Sequence, residues 1–177
     1  MSSFFTILLI GISLSMDAFS LSLVYGIIGM SDKKKIYLSI IVGIYHFIMP
    51  LIGLTLGILI DNINFINLHI LASIILMYIG VDLIISNSKK EDTLSVRKVG
   101  LLMFGLSVSI DSLTVGIGLK AITSHYLLSS FVFSICSTTF TYLGLLLGNI
   151  IGNKIGTYSK IVGGITLIII AIVMIIE

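Results

Sequence analysis

Gly11-Ile12-Ser13-Leu14-Ser15-Met16-Asp17-Ala18-Phe19-Ser20 and Gly105-Leu106-Ser107-Val108-Ser109-Ile110-Asp111-Ser112-Leu113-Thr114 follow one pattern, G-x-S-x-S-x-D-x-x-[S/T]. Each copy sits inside a long apolar run and places an acid near its middle. At about 100° per residue, Ser13, Asp17 and Ser20 share one helix face, as do Ser107, Asp111 and Thr114. Nearly opposite runs a small-residue stripe, Gly11, Ser15, Ala18 and Ser22 in the first copy and Gly105, Ser109, Ser112 and Gly116 in the second. Small stripes let membrane helices approach closely. Each copy therefore has a packing face and a separate oxygen-rich face.

The surrounding composition says what solvent these helices meet. Of 177 residues, 57% are hydrophobic and 10% charged, against about 25% charged in soluble domains. A globule of this length cannot hide so much apolar surface, so the solvent is lipid. A helix rising 1.5 Å per residue needs about 20 apolar residues to cross the hydrocarbon core. Six stretches qualify, near 4–29, 36–60, 65–86, 99–120, 126–151 and 157–176. The first apolar run has no basic residue ahead of it and exceeds a signal-peptide core, so we expect it to be retained as a span. The net charge of +2 gives no footprint for nucleic acid, and a single cysteine, Cys136, forms no internal disulfide.

Charge orients the bundle. Lys33, Lys34, Lys35, Lys89, Lys90, Arg97, Lys98, Lys154 and Lys160 fall in loops 30–36, 87–98 and 152–160, and only Lys120 falls on the other side. The positive-inside rule places those loops in the cytoplasm and both termini outside. The expected fold is an all-α membrane protein of six transmembrane helices, built as residues 1–86 and 99–177 around a charged cytoplasmic linker, 87–98. Three spans per unit is an odd number, so the second unit enters the membrane from the opposite face. That is an inverted-topology repeat, a transporter plan with its binding site near the midplane.

A carboxylate at the bilayer centre costs at least ~2.5–3.5 kcal/mol. Two of them, at matching positions in the two units, point to ion handling, with a protonated acid joining helices as the competing role. Serines and glycines in such helices more commonly pack than ligate. His46 stands one turn before Pro50 in the second stretch. It fits three roles: imidazole ligand, proton-accepting switch or packing residue. Pro50 frees a backbone carbonyl that can face an ion. The matching part of the fifth stretch holds hydroxyls instead, Ser137, Thr138, Thr139 and Thr141. Asp82, about a turn from the cytoplasmic end of the third stretch, reads as a vestibule ligand or an interfacial acid. Gly53 with Gly57 and Gly144 with Gly148 form GxxxG pairs, expected as packing grooves. Carboxylates, hydroxyls and carbonyls suit a hard divalent ion, and one imidazole shifts preference toward manganese and its first-row neighbours. No phosphate-binding loop, nucleophile elbow or zinc-protease motif occurs, so neither enzyme chemistry nor ATP-driven transport is expected.

With Ser15-Met16-Asp17-Ala18-Phe19, Ser109-Ile110-Asp111-Ser112-Leu113, Pro50-Leu51-Ile52-Gly53 and Gly163-Gly164 in this order, the chain resembles the manganese efflux pump (MntP) family of bacterial inner membranes. The resemblance implies export of Mn²⁺ as a transported substrate, with no permanently bound cofactor, and Asp17 and Asp111 as matching functional acids. The family pattern has an acid where His46 stands, a basic residue near Asp82 and an acid where Ser86 stands. A group of sporulation-associated membrane proteins shares the aspartate motif. The expected metal set is Asp17, Asp111 and His46, supported by Ser13, Ser20, Ser107, Thr114, Pro50, Thr138 and Asp82. The expected partners are the metal ion and the bilayer. The rival readings are export of another cation or an amino acid, or an accessory role without transport. No Lys or Arg lies deep in a span to meet an amino-acid carboxylate.

Overall fold

A computed structural model describes residues 2–59, 74, 77–81, 84, 98–155 and 159–176. Five helices are bounded in it: α1 (Ser2–Gly26), α2 (Asp32–Leu59), α3 (Lys98–Ile122), α4 (Tyr126–Ile155) and α5 (Ser159–Ile176). Here α3, α4 and α5 are the fourth, fifth and sixth apolar stretches. Most of the third stretch, the 87–97 part of the linker and Asp82 lie outside the described residues, although residues 77–81 are helical. Among the described residues, four segments are long and apolar enough to cross a membrane, Phe4–Gly26, Asp32–Gly57, Gly100–Leu119 and Tyr126–Gly152.

The solvent-facing side chains are those of a lipid-bathed bundle. Along α4, Leu127, Phe131, Ile135, Leu143 and Leu147 stand exposed on one stripe. The interior carries the hydroxyls: Ser15, Ser22, Ser109, Ser112, Ser137 and Thr141 are fully buried. In hydrocarbon there is no water to satisfy polar groups, so they turn inward. The apolar core joins Val24, Tyr25, Leu38, Val42, Ile79, Leu101, Phe104, Leu145 and Leu167. Tyr25 stacks on Phe104 with ring centroids 4.4 Å apart.

Among the described residues, α1 and α2 do not pair mainly with each other. α1 packs chiefly on α4, and α2 packs on α3 and α4. Glycines set both contacts. A Cβ at Gly144 would strike the Phe19 carbonyl oxygen at 2.6 Å, and one at Gly148 would strike the Leu23 carbonyl. On the other side, Gly53 lies against the Leu113 carbonyl and Gly57 against Ile117. The two GxxxG pairs are thus packing grooves, as expected. The same contacts give directions. Gly11 meets Phe133 and Gly152 meets Ile27, so α1 and α4 run parallel; Gly105 meets Tyr45 and Gly57 meets Ile117, so α2 and α3 run parallel. Gly29 faces Asn149 while Gly43 faces Thr138, which sets α2 antiparallel to α4. It follows that α3 runs opposite to α1, although both carry the aspartate motif. The basic turn at Lys33–Lys35 and Lys154 at the end of α4 share one end of the bundle.

The α1–α2 connection is a tight turn. The Ile27 and Gly29 amides donate to the Val24 and Gly26 carbonyls at 3.2 and 3.1 Å. Gly29 has φ +79°, the left-handed region where a Cβ clashes with the following carbonyl. At the start of α2, Lys35 is buried and its ammonium donates to Asp32 Oδ1 at 3.0 Å. We expect Gly29→Ala to cost about 1–2 kcal/mol, which for a chain of this size lowers Tm by roughly 2–8 °C. Thermal unfolding in detergent reads this, and an unchanged Tm would contradict the turn described.

Candidate metal site

The oxygen-rich and small faces predicted for α1 separate in the fold. Gly11, Ser15, Ala18 and Ser22 are buried against α4, whereas Ser13, Asp17 and Ser20 are exposed. The 3.6-residue period causes this directly: a stripe that admits the α4 backbone leaves the opposite stripe unpacked. The Ser20 hydroxyl donates to the Met16 carbonyl at 2.9 Å. On α3 the separation is less complete. Gly105, Ser109, Ser112 and Gly116 are buried against α2, Asp111 is half-buried and Thr114 is exposed. Ser107 is buried and donates to the Phe104 carbonyl at 2.9 Å.

α1 and α3, which carry Asp17 and Asp111, touch lightly and run in opposite directions. Asp17 is exposed and Asp111 half-buried. In a medium of low polarity two carboxylates brought together repel unless a cation or a proton lies between them.

His46 is 1% exposed, and its Nδ1 lies 2.9 Å from the Val42 carbonyl oxygen. A carbonyl only accepts, so Nδ1 is the donor in this contact. Four residues on, Pro50 has no N–H to return to residue 46, so the same residue also has a freed backbone carbonyl. Pro50 is itself buried, with Gly116 packed against it. The half-buried Thr138 donates to the Ser134 carbonyl at 2.8 Å and faces Gly43. Among the described residues, no group of three or more His, Cys, Asp or Glu side chains is gathered closely enough to hold a metal ion. The fold thus sets the two aspartate motifs in touching antiparallel helices and holds His46 buried on α2.

A sequence model of the family described as "Putative manganese efflux pump" matches residues 29–175. The chain belongs to this family. Relatives named "Putative manganese efflux pump MntP" include one from Bacillus pumilus (strain SAFR-032), 35% identical over 92% of this chain and 90% of its own length. Those from Bacillus mycoides (strain KBAB4) and Bacillus thuringiensis (strain Al Hakam) are 32% and 31% identical over the same shares. No solved structure matches the chain. One contact of the first motif is not legible in its sequence. Ser15 Oγ donates to the Gly11 carbonyl at 2.5 Å and lies 3.4 Å from Ser137 Oγ across the α1–α4 contact. Ser15 belongs to the small stripe, and nothing in its spacing distinguishes a packing serine from one that meets a hydroxyl.

Proposed function

We propose that the protein is a secondary transporter exporting a divalent metal ion, Mn²⁺, from the cytoplasm across the bacterial inner membrane. The feature that supports this reading is the pair of aspartate motifs, each with a central acid, in helices that touch and run in opposite directions. Membership of the manganese efflux pump family supports the cargo. Asp17 and Asp111 supply two negative charges to a hard cation. Ser13, Ser20 and Thr114, together with water, supply neutral oxygens, and Ser107 and Thr138 line the approach. His46 and the carbonyl beside Pro50 tune or complete the shell as the helices move, with Asp82 at the vestibule.

The six-span inverted repeat belongs to the same proposal. Gly53 and Gly57 of α2 meet Leu113 and Ile117 of α3, while Gly144 and Gly148 of α4 meet Phe19 and Leu23 of α1. Aligning the aspartate motifs places Leu113 on Phe19 and Ile117 on Leu23, so one two-fold operation carries the first pairing into the second. Such a relation provides two exchangeable arrangements around one site, the basis of alternating access. Positive-inside charge places the basic end in the cytoplasm. Proton counter-movement or the membrane potential drives export.

Expression in a bacterial strain lacking its own manganese exporter tests the reading. Total cell manganese is expected to fall several-fold, and the tolerated manganese concentration to rise. Equal manganese content with and without the protein would overturn the cargo assignment.

A further inference from the structure

Where α1 and α3 touch, two rings meet. Tyr25 and Phe104 are both fully buried and stack at 23°, with centroids 4.4 Å apart. They belong to a core cluster that draws side chains from all five bounded helices. Tyr25 is the last residue but one of α1, and Phe104 lies in the second turn of α3, so the stack sits toward the basic end of the bundle.

The stack also fixes a register. In antiparallel helices, equal steps back along one and forward along the other stay level. Eight residues back along α1 is Asp17, and seven forward along α3 is Asp111, so both acids lie roughly 10–12 Å beyond the rings along the bundle. A similar step again reaches Ile10 and Leu119. Leu119 is fully buried in a second, smaller cluster with Ile7, Leu14 and Phe133, and Ile10 packs against that cluster. The acids are therefore level with each other, midway between two apolar contacts. Aligning the aspartate motifs puts Phe104 on Ile10 and Leu119 on Tyr25, so the same two-fold operation exchanges the two contacts.

The contacts are not equally closed. From Asp111 toward the basic end, the α3 face passes through buried Ser107 to Phe104. Toward the other end it passes through exposed Thr114 to Gly118, where a Cβ would meet nothing within 4 Å. On α1, Ile10 is only half-buried, whereas Tyr25 is wholly so. A close-packed apolar plug has no room for an ion with its water and no polar group to replace that water.

We propose that Tyr25 and Phe104 form the inner gate of the transporter, Ile10 and Leu119 its outer gate, and that this structure holds the inner gate shut with the acids open to the outer side. Export then requires the stack to part as the Ile10–Leu119 contact tightens, an exchange that an inverted repeat permits. The gating role rests on the transport reading above; the one-sided opening rests on the bundle alone.

Thiol labelling by a hydrophilic maleimide tests it, on protein in lipid nanodiscs, where the reagent meets both faces. Cys136→Ser removes the one native thiol. In that background Gly118→Cys is expected to label at least tenfold faster than Ile135→Cys, which stands exposed on the lipid-facing stripe of α4, because the reactive thiolate forms only in water. Equal rates overturn the opening. Adding Tyr25→Leu, or Phe104→Leu as a second variant, loosens the inner gate and is expected to slow labelling of Gly118→Cys at least threefold, as the population moves to the inward-open arrangement. Ile10→Ala loosens the outer gate and is expected to leave the rate equal or raise it. Contacts that only held the bundle together would shift the rate in one direction at both ends. Slowing by Ile10→Ala as well, or no slowing at either ring, overturns the gates. Mn²⁺ uptake into proteoliposomes separates the two readings. Labelling as expected without Mn²⁺ movement in wild type overturns the transport reading and the gating role, while the one-sided opening stands.

Discussion

Asp17→Asn is expected to abolish manganese export while leaving the bundle folded. Asparagine keeps the size and the hydrogen-bonding capacity of the side chain and removes only its charge. If Asp17 merely joined helices, the amide would serve as well. If it ligates a divalent ion, one of two formal charges at the site disappears, and affinity falls by about 100-fold or more, since outer-shell losses alone cost 10–100-fold. Asp17 is exposed, so no packing holds the carboxylate in place and unfolding should move little. We expect Tm within about 2 °C of wild type, consistent with near-neutral surface substitutions. Asp111→Asn should reproduce the export defect, with a larger change in Tm because Asp111 is half-buried. The checks are manganese tolerance and cell manganese in the exporter-deficient strain. Rescue by Asp17→Ala equal to wild type would remove Asp17 from the ligand set.

The largest stability effect is expected at Gly148. A Cβ there would overlap the Leu23 carbonyl and approach Gly26 Cα to 3.0 Å, and backbone cannot swing aside as a flexible side chain does. Gly148→Ala must push α1 and α4 apart over their whole contact, at about 1–3 kcal/mol or roughly 2–12 °C in Tm. Gly118→Ala on α3 is the matched control, since its Cβ would meet nothing within 4 Å. There alanine gains helix propensity of up to about 1 kcal/mol, so Tm should hold or rise. Equal Tm values for the two variants would mean that the α1–α4 contact is not the close one described. Gly53→Ala, against the Leu113 carbonyl, should behave like Gly148→Ala.

These expectations also mark what the amino-acid sequence makes legible. The two faces of α1 were readable because the 3.6-residue period is local: Ser15 and Ser22 had to share a stripe that Asp17 does not. The close-packing role of Gly53, Gly57, Gly144 and Gly148 was readable from spacing alone. Their partners were not. A groove of small residues accepts any helix of similar surface, so nothing in the chain says that α1 chooses α4. Nor does residue type reveal that Ser107 is occupied by the Phe104 carbonyl while Thr141 has no such bond, because both choices turn on a rotamer. His46 illustrates a further limit. Its place one turn before Pro50 was plain, but its distance from the two acids depends on the α2–α3 contact. Asp82 lies outside the described residues, and its role stays with the proposal.

Because α1 finds its main partner in α4, the nascent chain faces a waiting period. At 5–20 residues per second, synthesis of everything between them takes on the order of ten seconds. Throughout that interval the first helix holds an acid, several serines and a glycine seam toward lipid or the insertion machinery. Among the described residues that seam is covered by α4 of the second half, so each half serves as the other's scaffold. A gene cut within the central linker should therefore yield stable protein only when both pieces are made in the same cell.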